Sequence, residues 1–172
     1  MLDEFEVING GKYPGFITGK PVGSGGSLGR TEATGYGVVF TIREALKQMK
    51  IDIATTKAAV QGFGNVSQYA IKLFTQLGGK VVCCSSWDQA DQTSYTFRKL
   101  SGVDADELLG ITDRFGGIDK DKAKGLGYEV LPGGAWIEQD VEILIPAALE
   151  NQITGETVLK IKPSVKIIAE GA

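Results

Sequence analysis

The segment Val60-Gln-Gly-Phe-Gly-Asn-Val-Ser67 constrains this chain more than any other, because a short apolar run meets two glycines and an amphipathic segment follows. That order predicts a strand reversing tightly into a helix. In such a turn Gly62 permits the reversal and Gly64 lets the backbone approach a phosphate, while the first helical amides aim unpaired N–H groups at the negative charge. The third position of the pattern wants a small residue, and Ser67 is only slightly larger than glycine. Glycine pairs are weak signals in a chain holding 24 glycines, so the flanking segments must decide.

The flanks supply the required context. Lys57 to Gln61 reads as a short strand, and Val66, Tyr69, Ala70, Leu73, Phe74 and Leu77 hold helical spacing up to the stop at Gly78-Gly79. Lys80 to Cys84 reads as the next strand, completing a βαβ unit of roughly 30 residues. Upstream, ten glycines between Gly10 and Gly37 predict a loop-rich lead-in over residues 1–37. A helix then begins near Thr31 to Thr34, its stripe formed by Val38, Ile42, Ala45, Leu46 and Met49. Ser85 to Gly102 is polar and aromatic without a clear period, and no structure is assigned to it. Helices are expected over Asp104–Phe115 and Asp119–Leu126, with a third from Gly155 to Ile161 capped by Thr154. Tyr128–Leu131, Val141–Ile145 and Val165–Ala169 read as strands. Strands alternating with helices predict an α/β fold, a Rossmann-like doubly wound and mostly parallel sheet with helices on both faces. Residues 1–172 are expected to form a single domain.

Composition narrows the function. A net charge of −3 argues against nucleic-acid and acidic-membrane partners. No apolar run approaches the roughly 20 residues a membrane span needs, and Met1 to Glu6 lacks the parts of a signal peptide, so a cytoplasmic location is expected. The adjacent Cys83 and Cys84 suit a buried strand rather than a disulfide. The chain has no histidine, which excludes a Ser-His-Asp triad and a histidine metal centre, and no metal site is expected.

Five segments in order carry a family likeness. Pro14-Gly-Phe-Ile-Thr-Gly-Lys-Pro21, Gly26-Ser-Leu-Gly-Arg-Thr-Glu-Ala-Thr-Gly-Tyr-Gly37, Val60 to Val66, Ile145-Pro-Ala-Ala-Leu-Glu-Asn-Gln-Ile-Thr154 and Ile168-Ala-Glu-Gly-Ala172 resemble the coenzyme domain of glutamate dehydrogenases. Leucine, phenylalanine and valine dehydrogenases share much of that domain, and the Glu-Ala-Thr-Gly and Pro-Ala-Ala-Leu-Glu-Asn-Gln segments favour glutamate. The resemblance implies a parent that oxidatively deaminates L-glutamate to 2-oxoglutarate and ammonium with NAD or NADP, assembled as a homohexamer. In that family the substrate lysines and the catalytic carboxylate lie on a separate preceding domain with no counterpart here. The chain is therefore expected to bind dinucleotide without turnover, with no catalytic residues of its own.

The resemblance also assigns roles. Gly62, Phe63, Gly64, Asn65 and Val66 match the pyrophosphate loop, and Asn65 also suits the ribose or nicotinamide side. Thr34 matches a threonine near the nicotinamide amide, and Ala147, Ala148 and Asn151 match the loop bordering the nicotinamide ribose. On the residues alone, Thr34 and Asn151 equally suit a helix cap or a turn. Arg30 suits either a substrate or subunit contact or a solvated surface. Ser86 falls where NAD-specific proteins often carry an acid against the ribose hydroxyls. Asp88 is the nearest acid, and no Arg or Lys lies between Lys80 and Arg98, which favours NAD over NADP unless a cation arrives from elsewhere in the fold. Trp87 suits stacking near adenine or plain packing. A non-catalytic module sensing NAD or an adenine nucleotide is the alternative class.

Overall fold

A computed structural model describes residues 1–171; Ala172, the end of the fifth matching segment, lies outside the described residues. The strands are β1 (Lys57–Gln61), β2 (Lys80–Asp88), β3 (Thr93–Arg98), β4 (Glu129–Pro132), β5 (Ile143–Pro146) and β6 (Ile167–Ile168). They form one sheet in the order β4-β3-β2-β1-β5-β6. β2, β1, β5 and β6 pair in parallel, β3 runs against both of its neighbours, and β4 therefore points the same way as β2. The α/β, mostly parallel expectation holds.

Helices α1 (Leu2–Asn9), α2 (Ala33–Gln48), α3 (Asn65–Gln76), α4 (Ala105–Leu109) and α5 (Lys120–Gly125) complete the chain. Side chains alternate along each buried strand, so β1 sends Ala58 and Val60 to one face and Ala59 to the other. The first face lies under α2 and α3, where Val39, Ile42, Leu46, Ala70, Ile71 and Phe74 are buried. Each large apolar side chain sealed there contributes about 1.5–3 kcal/mol. The second face is covered by a 3₁₀ segment, Gly133–Glu138, which lays Trp136 and Ile137 over Ala59, Val82, Cys83 and Leu144. Cys83 and Cys84 are free and buried on opposite faces. Burial pushes the Cys83 thiol up to about 12 and Cys84 well above the ordinary range, so both act as packing residues.

Several local readings differ from the structure. α1 lies inside the lead-in expected to be loop; Asp3 and Glu4 occupy its first turn, Gly10 ends it at φ 64°, and Phe5 stacks on Phe16 with ring centroids 3.8 Å apart. β2 runs four residues past Cys84 because β3 pairs along it from Cys83 to Asp88, making a hairpin of the unassigned stretch. α4 stops at Leu109, well short of Phe115, because Asp113 accepts from the amides of Phe115 and Gly117 and turns the chain out of helix. Asp104 and Asp119 cap α4 and α5 through their carboxylates. Thr154 caps as expected, but the helix after it is one 3₁₀ turn, Thr157–Lys160.

The crossing of α2 over α3 depends on Gly35. A β-carbon there would lie 2.6 Å from the Val66 carbonyl oxygen and 2.9 Å from the Ala70 nitrogen, both backbone atoms. Helix propensity favours alanine over glycine by about 1 kcal/mol, whereas overpacking costs typically about 1–3 kcal/mol and is worst against backbone. Gly35→Ala should therefore lower the melting temperature. Gly37→Ala, whose β-carbon would meet nothing within 4 Å, should hold or raise it; paired thermal melts compare the two.

Candidate dinucleotide site

β1 ends at Gln61, and Gly62 turns the chain at φ 96°, a conformation that favours glycine. A β-carbon on Gly62 would lie 2.7 Å from the Ala148 β-carbon and 3.0 Å from the Ala147 carbonyl oxygen. The turn is thus pressed against the loop after β5. Three bonds hold it there: the Gly62 amide donates to Ser85 Oγ at 2.9 Å, the Ala147 amide to the Gln61 carbonyl at 3.0 Å, and Ser67 Oγ to the Ala147 carbonyl at 3.2 Å. Ser67 is fully buried, so the third position needs a small residue and uses its hydroxyl as a strut.

Gly64 differs in kind from Gly62. It precedes α3 in extended conformation, and a β-carbon there would meet no atom within 4 Å. It supplies no side-chain cap, and the first α3 amide with a partner is that of Gln68, which donates to the Gly64 carbonyl. The amides of Asn65, Val66 and Ser67 find no acceptor among the described residues. Unpaired amides at the positive end of a helix dipole, bordering open space, form an anion cradle.

The other expected residues divide into two groups. Ala147 and Ala148 flank the turn, and Thr34 stands in the first turn of α2, one residue from the Gly35 contact with α3. Glu32 occupies the N-cap position, so Thr34 is not the cap, and its exposed hydroxyl bonds no chain group. Asn151 is exposed and left-handed at φ 59°, a conformation asparagine tolerates. Phe63 is sealed in the core, and only its backbone faces the turn. Asn65 donates through Nδ2 to the Thr31 carbonyl at 2.6 Å, tying α3 to the lead-in. Val66 packs against the core, and a β-carbon on Gly171 would lie 3.1 Å from its Cγ1.

The second group lies at the end of β2. Ser86 sits inside the strand, buried, and donates to the Gly116 carbonyl at 2.8 Å. Trp87 is half exposed, with its indole nitrogen directed to Gln89. Asp88 caps the amides of Ala90 and Asp91 through one oxygen, and its other oxygen meets Lys120 Nζ at 2.5 Å. Lys120 also pairs with Asp91 at 2.6 Å and lies over the Tyr95 ring. Sequence spacing did not reveal this lysine, because α5 delivers it across the fold. A cavity of about 440 Å³ adjoins the cluster, bounded by Asp88, Asp113, Asp119, Asp121, Lys120 and Lys122 among others.

This arrangement coincides with a known family. Sequences of the glutamate/leucine/phenylalanine/valine dehydrogenases match residues 25–172. The chain belongs to that dehydrogenase family. The NAD-specific glutamate dehydrogenase of Clostridioides difficile is 42% identical over all of this chain and 39% of its own length. The cryptic catabolic NAD-specific glutamate dehydrogenase of Bacillus subtilis is 41% identical over all of this chain and 37% of its own. The solved glutamate dehydrogenase of Peptoniphilus asaccharolyticus superposes with a TM-score of 0.69 at 37% identity, covering 98% of this chain and 36% of that one. The dehydrogenase chain described here thus spans well under half the length of these relatives. No helix among its described residues is long and apolar enough to cross a membrane.

Hydrogen bonds to Lys120 hold the Asp88 and Asp91 carboxyls below their ordinary values, and the same two bonds hold Lys120 above its own. A carboxyl lowered by folding contributes stability that is present above its unfolded value, about 3.9, and lost as pH falls through the folded value. The raised Lys120 contributes stability that disappears only as pH climbs above about 10.4. Lys120→Met should therefore flatten the fall in melting temperature between about pH 5 and pH 2. An unaltered pH slope would mean that these exposed pairs are energetically idle.

Proposed function

We propose that this chain is the NAD-binding part of a glutamate dehydrogenase and that residues 1–172 act as one coenzyme domain. One observation carries the reading: the unpaired Asn65, Val66 and Ser67 amides face open space beside Gly64, at the edge where β1 separates β2 from β5. Open α/β sheets bind ligands at such a switch point, beyond the carboxyl ends of the strands. A pyrophosphate supplies the charge and the acceptors those amides lack. The Gly62 to Val66 backbone would hold it, with Thr34, Ala147, Ala148 and Asn151 around the nicotinamide half and Ser86 and Trp87 beside the adenosine half. The coenzyme, when bound, accepts hydride from the amino acid's α-carbon. The chain's part is to fix the face of the ring and keep water from it.

Electrostatics favour NAD over NADP. The cavity beside β2 carries four aspartates, Asp88, Asp113, Asp119 and Asp121, against Lys120 and Lys122, and Lys120 is already shared by two carboxylates. A 2′-phosphate entering there meets net negative charge. The glutamate and 2-oxoglutarate chemistry, a homohexameric parent and a cytoplasmic location follow from family membership as parts of the same proposal. No nucleic-acid or membrane partner and no metal enters it.

Calorimetric titration of the purified chain should show weak dinucleotide binding, NAD tighter than NADP, and loss of both on Gly64→Val, whose side chain fills the cradle without meeting the protein. Unchanged affinity in the variant, or NADP the tighter ligand, overturns the corresponding part. The chain should also give no NADH from glutamate and NAD. Absorbance at the NADH band rising with time would show that the catalytic groups are present after all.

A further inference from the structure

Gln61 ends β1 immediately before the glycine turn and is more than nine-tenths buried. Its side-chain oxygen is sealed from solvent without a hydrogen-bond partner. The amide nitrogen bonds no group among the described residues either, yet it is not sealed. Buried side-chain amides are normally bonded, because an unmade bond in a dry interior is not compensated by water. A glutamine with neither end bonded is therefore unusual in a well-packed strand, and an apolar residue of similar length would fit the same space without the penalty.

We infer that Gln61 is a coenzyme-binding residue, its amide completed by a hydroxyl of the dinucleotide's adenosine half. The inference rests on the dinucleotide reading above and adds to it a contact outside the glycine turn. Three placements support it. Strand alternation sends Val60 toward α3 and Gln61 with Ala59 to the opposite face, so Gln61 approaches a ligand from the side that the α3 amides do not reach. The β1–β2 register pairs Val60 with Cys84, which sets Gln61 beside Ser85, whose hydroxyl already accepts from the Gly62 amide. β2 is also the adenosine side of a sheet of this kind, whereas Thr34 and Asn151 stand toward α2 and the loop after β5.

The side chain is suited to a hydroxyl. A ribose hydroxyl both donates and accepts, and a glutamine amide does the same through its two ends. Rotation about the last side-chain torsion exchanges oxygen and nitrogen at little steric cost, so either end can serve the opening while the other stays inside. Ser85 carries a hydroxyl proton with no acceptor recorded in the chain, and a slight shift would direct it to the inner end. Ligand binding would then complete two groups left incomplete by folding.

The test uses Gln61→Met, which keeps length and removes both polar ends, alongside the unaltered chain. Calorimetry with NAD, ADP and nicotinamide mononucleotide, and ligand-free thermal melts, are measured on both proteins. The variant should bind NAD and ADP about fivefold to tenfold more weakly, the loss of one hydrogen bond, and nicotinamide mononucleotide unchanged. Its ligand-free melting temperature should rise by about 2–4 °C, because an unbonded buried amide has been removed. ADP affinity equal to that of the unaltered chain overturns the inference while leaving the dinucleotide reading intact. A loss confined to nicotinamide mononucleotide overturns the assignment to the adenosine half. A lower melting temperature shows that the amide serves the fold and overturns it as well. Failure of the unaltered chain to bind NAD or ADP overturns both readings together.

Discussion

The position of β1 organises the molecule. It is the only strand whose two parallel neighbours are reached by opposite routes, β2 through α3 and β5 by a return from the far edge of the sheet. The chain leaves β1 toward one side while the next strand on the other side belongs to a later segment, so no connection covers the carboxyl end between them. That gap forces the Gly62 turn against Ala147 and Ala148 and fixes the start of α3. The crossing of α2 at Gly35 then sets where Thr34 and the lead-in stand relative to α3. Each is a steric consequence of two backbones meeting without room for a β-carbon.

The two glycines of the turn illustrate how similar residues can have separate causes. At Gly62 the requirement is internal, since the φ angle and the Ala148 contact exclude a side chain whether or not a ligand binds. At Gly64 the protein has nothing to gain, because the site is open and the conformation ordinary. A residue with a capping side chain would suit the start of α3 better. Glycine there leaves three amides unbonded, a stability loss that makes sense only if an external acceptor completes them. Gln61 repeats the pattern on the opposite face of the same strand.

Most of the βαβ unit was legible from spacing, because buried parallel strands are short apolar runs and α2 and α3 carry clean apolar stripes. What stayed hidden is what depends on partners distant in sequence. β3 is a polar, aromatic edge-side strand whose conformation is imposed by pairing with β2, and its own residues show no period. The 3₁₀ cover at Gly133–Glu138 is too short to carry a helical stripe, yet Trp136 seals one face of the sheet. α1 was hidden for a different reason: none of its residues is buried, so no core stripe could mark it. Asp113 shortened α4 through a turn bond that competes with helix, an outcome decided by two amides and not by composition.

The coenzyme end of β2 shows why a local scan for charge is incomplete in both directions. Between Lys80 and Arg98 the sequence has no cation, which by itself leaves Asp88 as a free acid able to bond a ribose. Folding delivers Lys120 to that acid, and a lysine there could equally have been read as a phosphate anchor. The geometry resolves the sign. Lys120 bridges two carboxylates, its ammonium already has two strong acceptors and an aromatic face, and further aspartates stand around the cavity. Releasing it to a 2′-phosphate would leave Asp88 and Asp91 unpaired beside each other and beside the new charge. A ribose hydroxyl imposes no such exchange, because it can donate to a carboxylate that keeps its lysine. The cation supplied by the fold therefore strengthens the preference for the unphosphorylated coenzyme.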